Sequence, residues 1–501
     1  MKKKALVFIS NNDHMALDEA IDKRNEGYEI YFLLCDSSVR GCNVCRACDK
    51  ATCKLCTHSM KKLISPLLKS DSCYHAEEMS MYITEDIIKL AEDAKFNYYD
   101  VKSLKELTFH GVDIGYGAFS TFVTYTRNVM PTFNDVLKDY LDTLMRNEIR
   151  QTLALEKCIN QLKPDLIVFH NGRFSNFKPL LGVAKGNNIE YIVTEKFNMP
   201  DGEIRINNFH NNIPHSYDAI YMKTLEAWDN AGENAVEIGK AFFENRRNAK
   251  YAGDKIYTKD QVAGMLPEGF DIGKRNISIF NSSEDEFFAI SKEWDQSVIF
   301  PSQYEGLKTI FEHYKDDETI HFYLRIHPNL KNVPWKSHTL LYGLKYKNVT
   351  IIAPNSPISS YTLMDNSEKV IIFNSTIGLE STFWGKPVIA LNKCTYSYLK
   401  LTYTPTTEEE VYQLIDDKKL PAINNPENCY KAACYFLGFA SRPYKHYSVR
   451  TYRLKHDIEV NKLYKLFGSA VLYAYVRRLL YKLSTKIGAG RRFDHLAERT
   501  A

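Results

Sequence analysis

Short apolar runs recur along this chain, each bounded by polar or turn-forming residues, and most lead into a stretch with helical spacing. Runs of this kind mark strands buried on both faces of a parallel sheet. In the first half they fall at Ala5–Ser10, Tyr28–Cys35, Pro164–Gly172 and Ile189–Thr194. Helices are expected over Ala16–Arg24, Thr84–Ala94, Asn134–Leu162, Phe177–Lys185 and Val236–Arg247. In the second half, strands are expected at Asn276–Asn281, His321–Pro328, Val349–Ala353, Val370–Phe373 and Val388–Leu391. Helices fall between them at Tyr304–Tyr314, from Tyr361 onward, and from Ser375 to Gly385, followed by Thr406–Asp417 and Asn428–Ser441. Gly111–Arg127, rich in glycine and aromatics, reads as a loop, and Asp201–Pro214 reads as polar and irregular. Strand–helix alternation in two successive blocks predicts an α/β protein of two Rossmann-like domains, residues 1–265 and 274–440, with a tail over 441–501.

The chemistry concentrates at strand ends, where open α/β sheets bind ligands. Asn374, Ser375 and Thr376 close one strand and open a helix, so backbone N–H groups, a positive dipole end and two hydroxyls converge, as a phosphate requires. Glu380 lies one turn further in and suits a sugar or ribose hydroxyl. His321–Pro328 ends in Arg325, His327 and Pro328, a guanidinium and an imidazole fit for phosphate charge. Ser282 and Ser283, ahead of the acidic run Glu284–Glu286, offer two further hydroxyls. In the first half the Ser10–His14 turn lacks G-x-G-x-x-G and so does not read as a dinucleotide cradle. Asp13 and His14 stand there as candidate bases, although Asp13 serves equally as a helix cap. His170, Asn171 and Glu195 end neighbouring strands, and His170 competes with His14 as base.

Taken together, Arg325-x-His327-Pro328, Ser359-Ser360-Tyr361, Asn374-Ser375-Thr376-x-Gly378-Leu379-Glu380 and Gly385-Lys386-Pro387-Val388-Ile389 resemble bacterial capsule and surface-polysaccharide biosynthesis glycosyltransferases of the GT-B fold. The resemblance covers their C-terminal domain, here about residues 275 to 400. The HP and S-S/T pair is similar to the one that holds the CMP phosphate in bacterial sialyltransferases and Kdo-type capsule transferases. The resemblance implies two domains facing a cleft, with a nucleotide-sugar donor on the second and a polysaccharide or glycolipid acceptor on the first. The implied donor-binding residues are Arg325, His327, Pro328, Ser359, Ser360, Ser375, Thr376, Glu380, Ser282 and Ser283. The base would come from His14, His170 or Asp13, and no catalytic cofactor is required. Rival readings are a glycerophosphotransferase or nucleotide-sugar epimerase of similar architecture, and a non-catalytic membrane-associated scaffold.

Charge refines this picture. The 501 residues carry a formal charge of +4, too small for a nucleic-acid binder. The charge is uneven: residues 441–501 hold 14 Lys/Arg against 4 Asp/Glu. Within them Leu472, Val476, Leu479, Leu480, Leu483 and Ile487 recur at helical spacing, with Arg477, Arg478 and Lys482 off that face. This basic amphipathic helix suits an anionic membrane surface or, alternatively, docking on the protein body. No run reaches membrane-spanning length and no signal peptide is visible, so a cytoplasmic protein, peripheral at the inner membrane face, is expected. Cys35, Cys42, Cys45, Cys48, Cys53 and Cys56, with His58 close behind, form a Cys-rich loop over 35–58. Repeated C-x2-C steps read as a structural Zn²⁺ site or as small buried thiols, with Cys42, Cys45, Cys48, Cys53 and Cys56 the candidate ligands.

Overall fold

The computed structural model describes residues 2–10, 14–39, 41–42, 50–199, 203–253, 256–295 and 299–446. Asp13, Cys45, Cys48 and the amphipathic segment beyond 446 lie outside the described residues.

The first six strands, β1 (Lys4–Ile9), β2 (Glu29–Leu34), β3 (Tyr74–Glu78), β4 (Leu166–His170), β5 (Glu190–Asn198) and β6 (Ile204–His210), form one sheet in the order β3-β2-β1-β4-β5-β6. Five are parallel, and β6 pairs antiparallel with β5 at the edge. Ala5 to Ile9 are wholly buried, as a central strand covered on both faces must be. Among the described residues, seven helices accompany this sheet: α1 (His14–Asn25), α2 (Lys50–Ser70), α3 (Glu85–Asp93), α4 (Val101–Lys105), α5 (Ile114–Thr126), α6 (Asp135–Leu162) and α7 (Lys178–Gly186). Asn134 starts the long α6 by accepting from the Leu137 N–H at 3.0 Å.

Two helices, α8 (Tyr217–Ala231) and α9 (Ala235–Arg247), precede the second sheet. That sheet is wholly parallel: β7 (Arg275–Phe280), β8 (Ile320–Arg325), β9 (Val349–Ile352), β10 (Lys369–Ile372) and β11 (Val388–Ala390), ordered β11-β10-β7-β8-β9. Around it lie α10 (Lys292–Asp295), α11 (Gln303–Tyr314), α12 (Lys336–Thr339), α13 (Ser360–Asp365), α14 (Thr376–Phe383), α15 (Glu408–Asp416) and α16 (Pro426–Phe436). In each sheet the strand order reverses once, between β1 and β4 and between β7 and β10. Ligands bind at such switch points, outside the carboxyl ends of the strands.

Three expectations change. Gly111–Arg127 is not a loop: most of it is α5, nearly all buried. Its glycines admit neighbours rather than bend the chain. A Cβ on Gly115 would stand 1.8 Å from the Leu104 carbonyl oxygen, and one on Gly117 2.3 Å from Glu148 Oε2. Gly115→Ala is therefore expected to destabilise the first domain by about 1–3 kcal/mol, read as a lower melting temperature; an unchanged value would refute the close approach. Asp201–Pro214 contains β6, whose Ile206 and Phe209 are buried although the run is polar overall. Sequence order also places 217–247 with the first domain, but Phe242 and Phe243 pack into the core of the second, against Val370, Leu379 and Tyr430 among others.

The chain then returns. After α16, Arg442 exchanges backbone hydrogen bonds with Ile206, both 2.8 Å, and its guanidinium meets the buried Asp18 and Glu19 of α1 at 2.6 and 2.9 Å. Lys445 and His446 add contacts to Asp22. Elsewhere the domains meet where Lys105 and Tyr116 both donate to Asp295, and where the Trp335 indole donates to the Thr126 carbonyl.

Candidate active site

Arg325 ends β8 and His327 follows in the turn that Pro328 opens. Both line a cavity at the β7–β10 switch point with Asn281, Ser360, Ser375, Thr376 and Glu380. Arg325 is 3% exposed. Two of its nitrogens donate to the Ile358 and Ser356 carbonyls at 3.1 and 3.0 Å, while Nε is buried without a hydrogen-bond partner among the described residues. Among the described residues no carboxylate pairs with it, and burial draws its pKa down to about 10, so it stays charged at neutral pH. A buried cation with no ion-pair partner among the described residues calls for an anion. His327 accepts the Asn329 N–H on Nδ1 at 3.1 Å, which puts the proton of the neutral ring on Nε2 as a donor. Its own N–H donates to Asn281 Oδ1 at 2.7 Å, fixing the turn. On the far wall Ser375, Thr376 and Ile377 begin α14, and Ser375 makes no side-chain bond to cap it.

Glu380 proves to be otherwise occupied. It is 2% exposed, accepts from Arg246 Nε at 2.9 Å, and is bonded to the Tyr361 hydroxyl. Arg246 Nη2 also donates to Thr376 Oγ1 at 3.1 Å. Glu380 thus holds Arg246 against the start of α14 while still lining the cavity where the sequence expectation puts a sugar hydroxyl. Ser359 caps α13 through the Thr362 N–H, and its neighbour Ser360 reaches the cavity instead. Ser282 is bonded to Gln303 and Ser283 to Arg127 and Asp285, and neither lines the cavity. Arg246, Lys250, Tyr257 and Gln261 complete the lining. Arg246 comes from the last turn of α9 and the others from the chain that follows it, and no local pattern points them at the cavity.

A second, larger cavity of about 820 Å³ opens between the domains. Its walls include Lys105 and Tyr116 from the first domain and Glu284, Phe287, Phe288, Trp294, Asn374 and Lys393 from the second. Glu284 follows β7. Burial pushes its carboxyl up to about 7, Asp285 beside it adds to the rise, and the Gln303 N–H offsets part of it. A carboxyl poised near neutrality in a cleft suits general acid–base work.

The first domain presents its own switch point. His14 begins α1 after β1, and His170 ends β4 on the adjacent strand, but neither lines these two cavities. His170 Nδ1 donates to the Thr194 carbonyl at 2.8 Å, leaving Nε2 as acceptor in the neutral ring. Nearby Glu195 is half-buried, and desolvation raises its pKa, but His170 and the Asn171 amide at 2.6 Å outweigh that and keep it below the usual range. Burial holds His215 neutral, down to about 4.

Residues 295–422 match the family model described as capsule polysaccharide biosynthesis protein. The capsule-biosynthesis stretch runs from Asp295 to past α15 and holds Arg325, His327, Ser360, Ser375, Thr376 and Glu380. The resemblance carried by those motifs is thus met where the motifs lie. Among solved structures, the chain aligns with Thermosulfurimonas dismutans KpsC, beta Kdo 2,4 transferase, at 14% identity over 54% of this chain and 80% of that one, with a TM-score of 0.34. It also aligns with the S. aureus MnaA–UDP co-structure at 14% identity, over 93% and 97% of the two chains, with a TM-score of 0.25. Streptomyces sp. SF2575 glycosyltransferase SsfS6, complexed with thymidine diphosphate, aligns at 9% identity over 87% and 95%, with a TM-score of 0.21. No curated protein matches the sequence.

Outside the capsule-biosynthesis stretch, Cys35, Cys42, Cys53 and Cys56 line one small cavity with Ser10 and Asn176, beside the first switch point. Burial pushes the Cys35 thiol up to about 12, with Cys56 nearby adding to the rise. Among the described residues no three His, Cys, Asp or Glu side chains are placed to hold a metal ion. No helix of the described residues is long and apolar enough to cross a membrane.

Proposed function

We propose that the protein is a glycosyltransferase that moves a sugar from a nucleotide-sugar donor to a capsule or related surface glycan. The observation that carries this reading is the buried Arg325, without an ion-pair partner among the described residues, which shares one cavity with His327 and the start of α14 inside the stretch matched by the family model. The donor phosphate takes that position. As the anomeric C–O bond to phosphate breaks, charge grows on the leaving oxygen, and Arg325, His327 Nε2–H and the helix start offset it without reorganising. The acceptor hydroxyl enters from the interdomain cavity. Glu284, ionised, takes its proton as the new glycosidic C–O bond forms. His170, held in the tautomer that leaves Nε2 open to a proton, is the alternative base on the first domain. The basic tail over 441–501 suits an anionic membrane surface, where lipid-linked acceptors reside, and this agrees with a cytoplasmic enzyme at the inner face.

The test is calorimetry and thermal shift against CMP, CDP, UDP, GDP and dTDP. One nucleotide is expected to stabilise the protein, by about 2.7 kcal/mol at a hundredfold excess over its Kd. His327→Ala is expected to weaken that binding about tenfold, the loss of one charge-assisted hydrogen bond. If none of the five shifts the wild type, the reading fails.

A further inference from the structure

Arg127 ends α5 on the first domain, in the left-handed region at φ +57, which few residues other than glycine adopt without strain. Its guanidinium spans to the second domain and touches two loops at once. Nε and Nη2 clasp the Asp285 carboxylate at 2.8 and 3.2 Å, and Nη2 also donates to Ser283 Oγ at 2.6 Å. Nη1 donates to the Asn329 carbonyl at 3.0 Å. The first loop carries Glu284 between these two contacts. The second carries His327, whose Nδ1 accepts the N–H of the same Asn329. Asn329 in turn donates its side-chain amide to Glu286 at 3.1 Å, tying the loops to each other.

This is more than an ion pair across an interface. Behind the pair, burial keeps His338 neutral, its pKa down to about 4, so it neither repels Arg127 nor competes with it for Asp285. The neighbouring Thr126 carbonyl accepts from the Trp335 indole, which seats the end of α5 in the second domain. A forked guanidinium with three nitrogens engaged fixes direction as well as charge, which a lysine cannot.

We propose that Arg127 is a positioning residue, a latch through which docking of the first domain sets the Glu284 loop and the His327 turn in register. The inference deepens the glycosyl-transfer reading and rests on it for the roles of those two side chains, but the latch itself is testable without any substrate.

The test is hydrogen exchange on the full chain, for wild type, Arg127→Ala and the milder Arg127→Lys. Exchange is expected to quicken in both 281–286 and 327–331, more in the alanine variant, while α14 and the central strands keep their rates. Unchanged exchange in either loop, or acceleration spread over the whole second domain, overturns the latch. A second arm crosses Arg127→Ala with His327→Ala and reads nucleotide affinity. Arg127→Ala alone is expected to weaken binding about tenfold, the scale of coupling between connected residues, and to have almost no further effect once His327 is gone. Additive losses overturn the action through His327. If wild type binds no nucleotide, the glycosyl-transfer reading fails, and the exchange result alone decides the latch.

Discussion

Glu284→Gln is expected to lower kcat by about 10²–10⁴-fold, the usual contribution of a positioned general base, while nucleotide affinity stays within about twofold. The change removes a proton acceptor and little else, because Gln keeps an oxygen for the Gln303 N–H. The pH profile carries the sharper signature. Burial raises this carboxyl to about 7, so its working, ionised form is lost as pH falls through that value. Turnover should therefore rise to a plateau above neutrality and decline below it. Gln has nothing to titrate, so its small residual rate should lose that acid limb. The measurement is nucleotide release from donor in the presence of acceptor, from pH 5 to 9. A variant that retains wild-type turnover, or the same acid limb, would transfer the base role to His170.

Arg325→Lys is expected to weaken nucleotide binding by about 100-fold or more, the equivalent of one to two charge-assisted hydrogen bonds. Lysine preserves the charge, but it cannot hold two carbonyls and a phosphate with one planar fork. The competing reading is that Arg325 merely braces the 356–358 loop, whose carbonyls it already binds. The two separate in a thermal-shift titration. A bracing residue lowers the melting temperature of the unliganded protein and leaves the nucleotide-induced rise intact. A phosphate-binding residue loses the rise itself.

Much of this site is legible in the sequence because its parts are local. Val370–Phe373 is a continuous apolar run, and Ser375–Thr376 opens the helix that follows it. Arg325 and His327, two apart on one strand end, do face one cavity. What escapes has tertiary causes. Arg246 lies on the helix read over Val236–Arg247, but nothing local aims it at a cavity built from the second sheet, and Tyr257 and Gln261 come from chain with no strand or helix pattern. Glu380 looks free in sequence because nothing nearby announces that Arg246 and Tyr361 will take both its oxygens. Gly115 and Gly117 lower helix propensity and suggest a loop, but close packing against Leu104 and Glu148 overrides propensity. Arg127 is one arginine among many until the fold carries it to Asp285.

The path of the chain has a consequence for how the protein is divided. It leaves the first sheet after β6, builds α8 and α9 into the far core, completes the second sheet, and then comes back to lay Arg442 along β6 and α1. The first half therefore depends on a piece supplied from beyond the second. Truncation at the apparent linker near 265 strips Phe242 and Phe243 from one core and leaves Asp18 buried without its counter-charge in the other. A cut near 265 therefore does not yield two self-contained units, and the first domain on its own would need the 442–446 segment supplied to it.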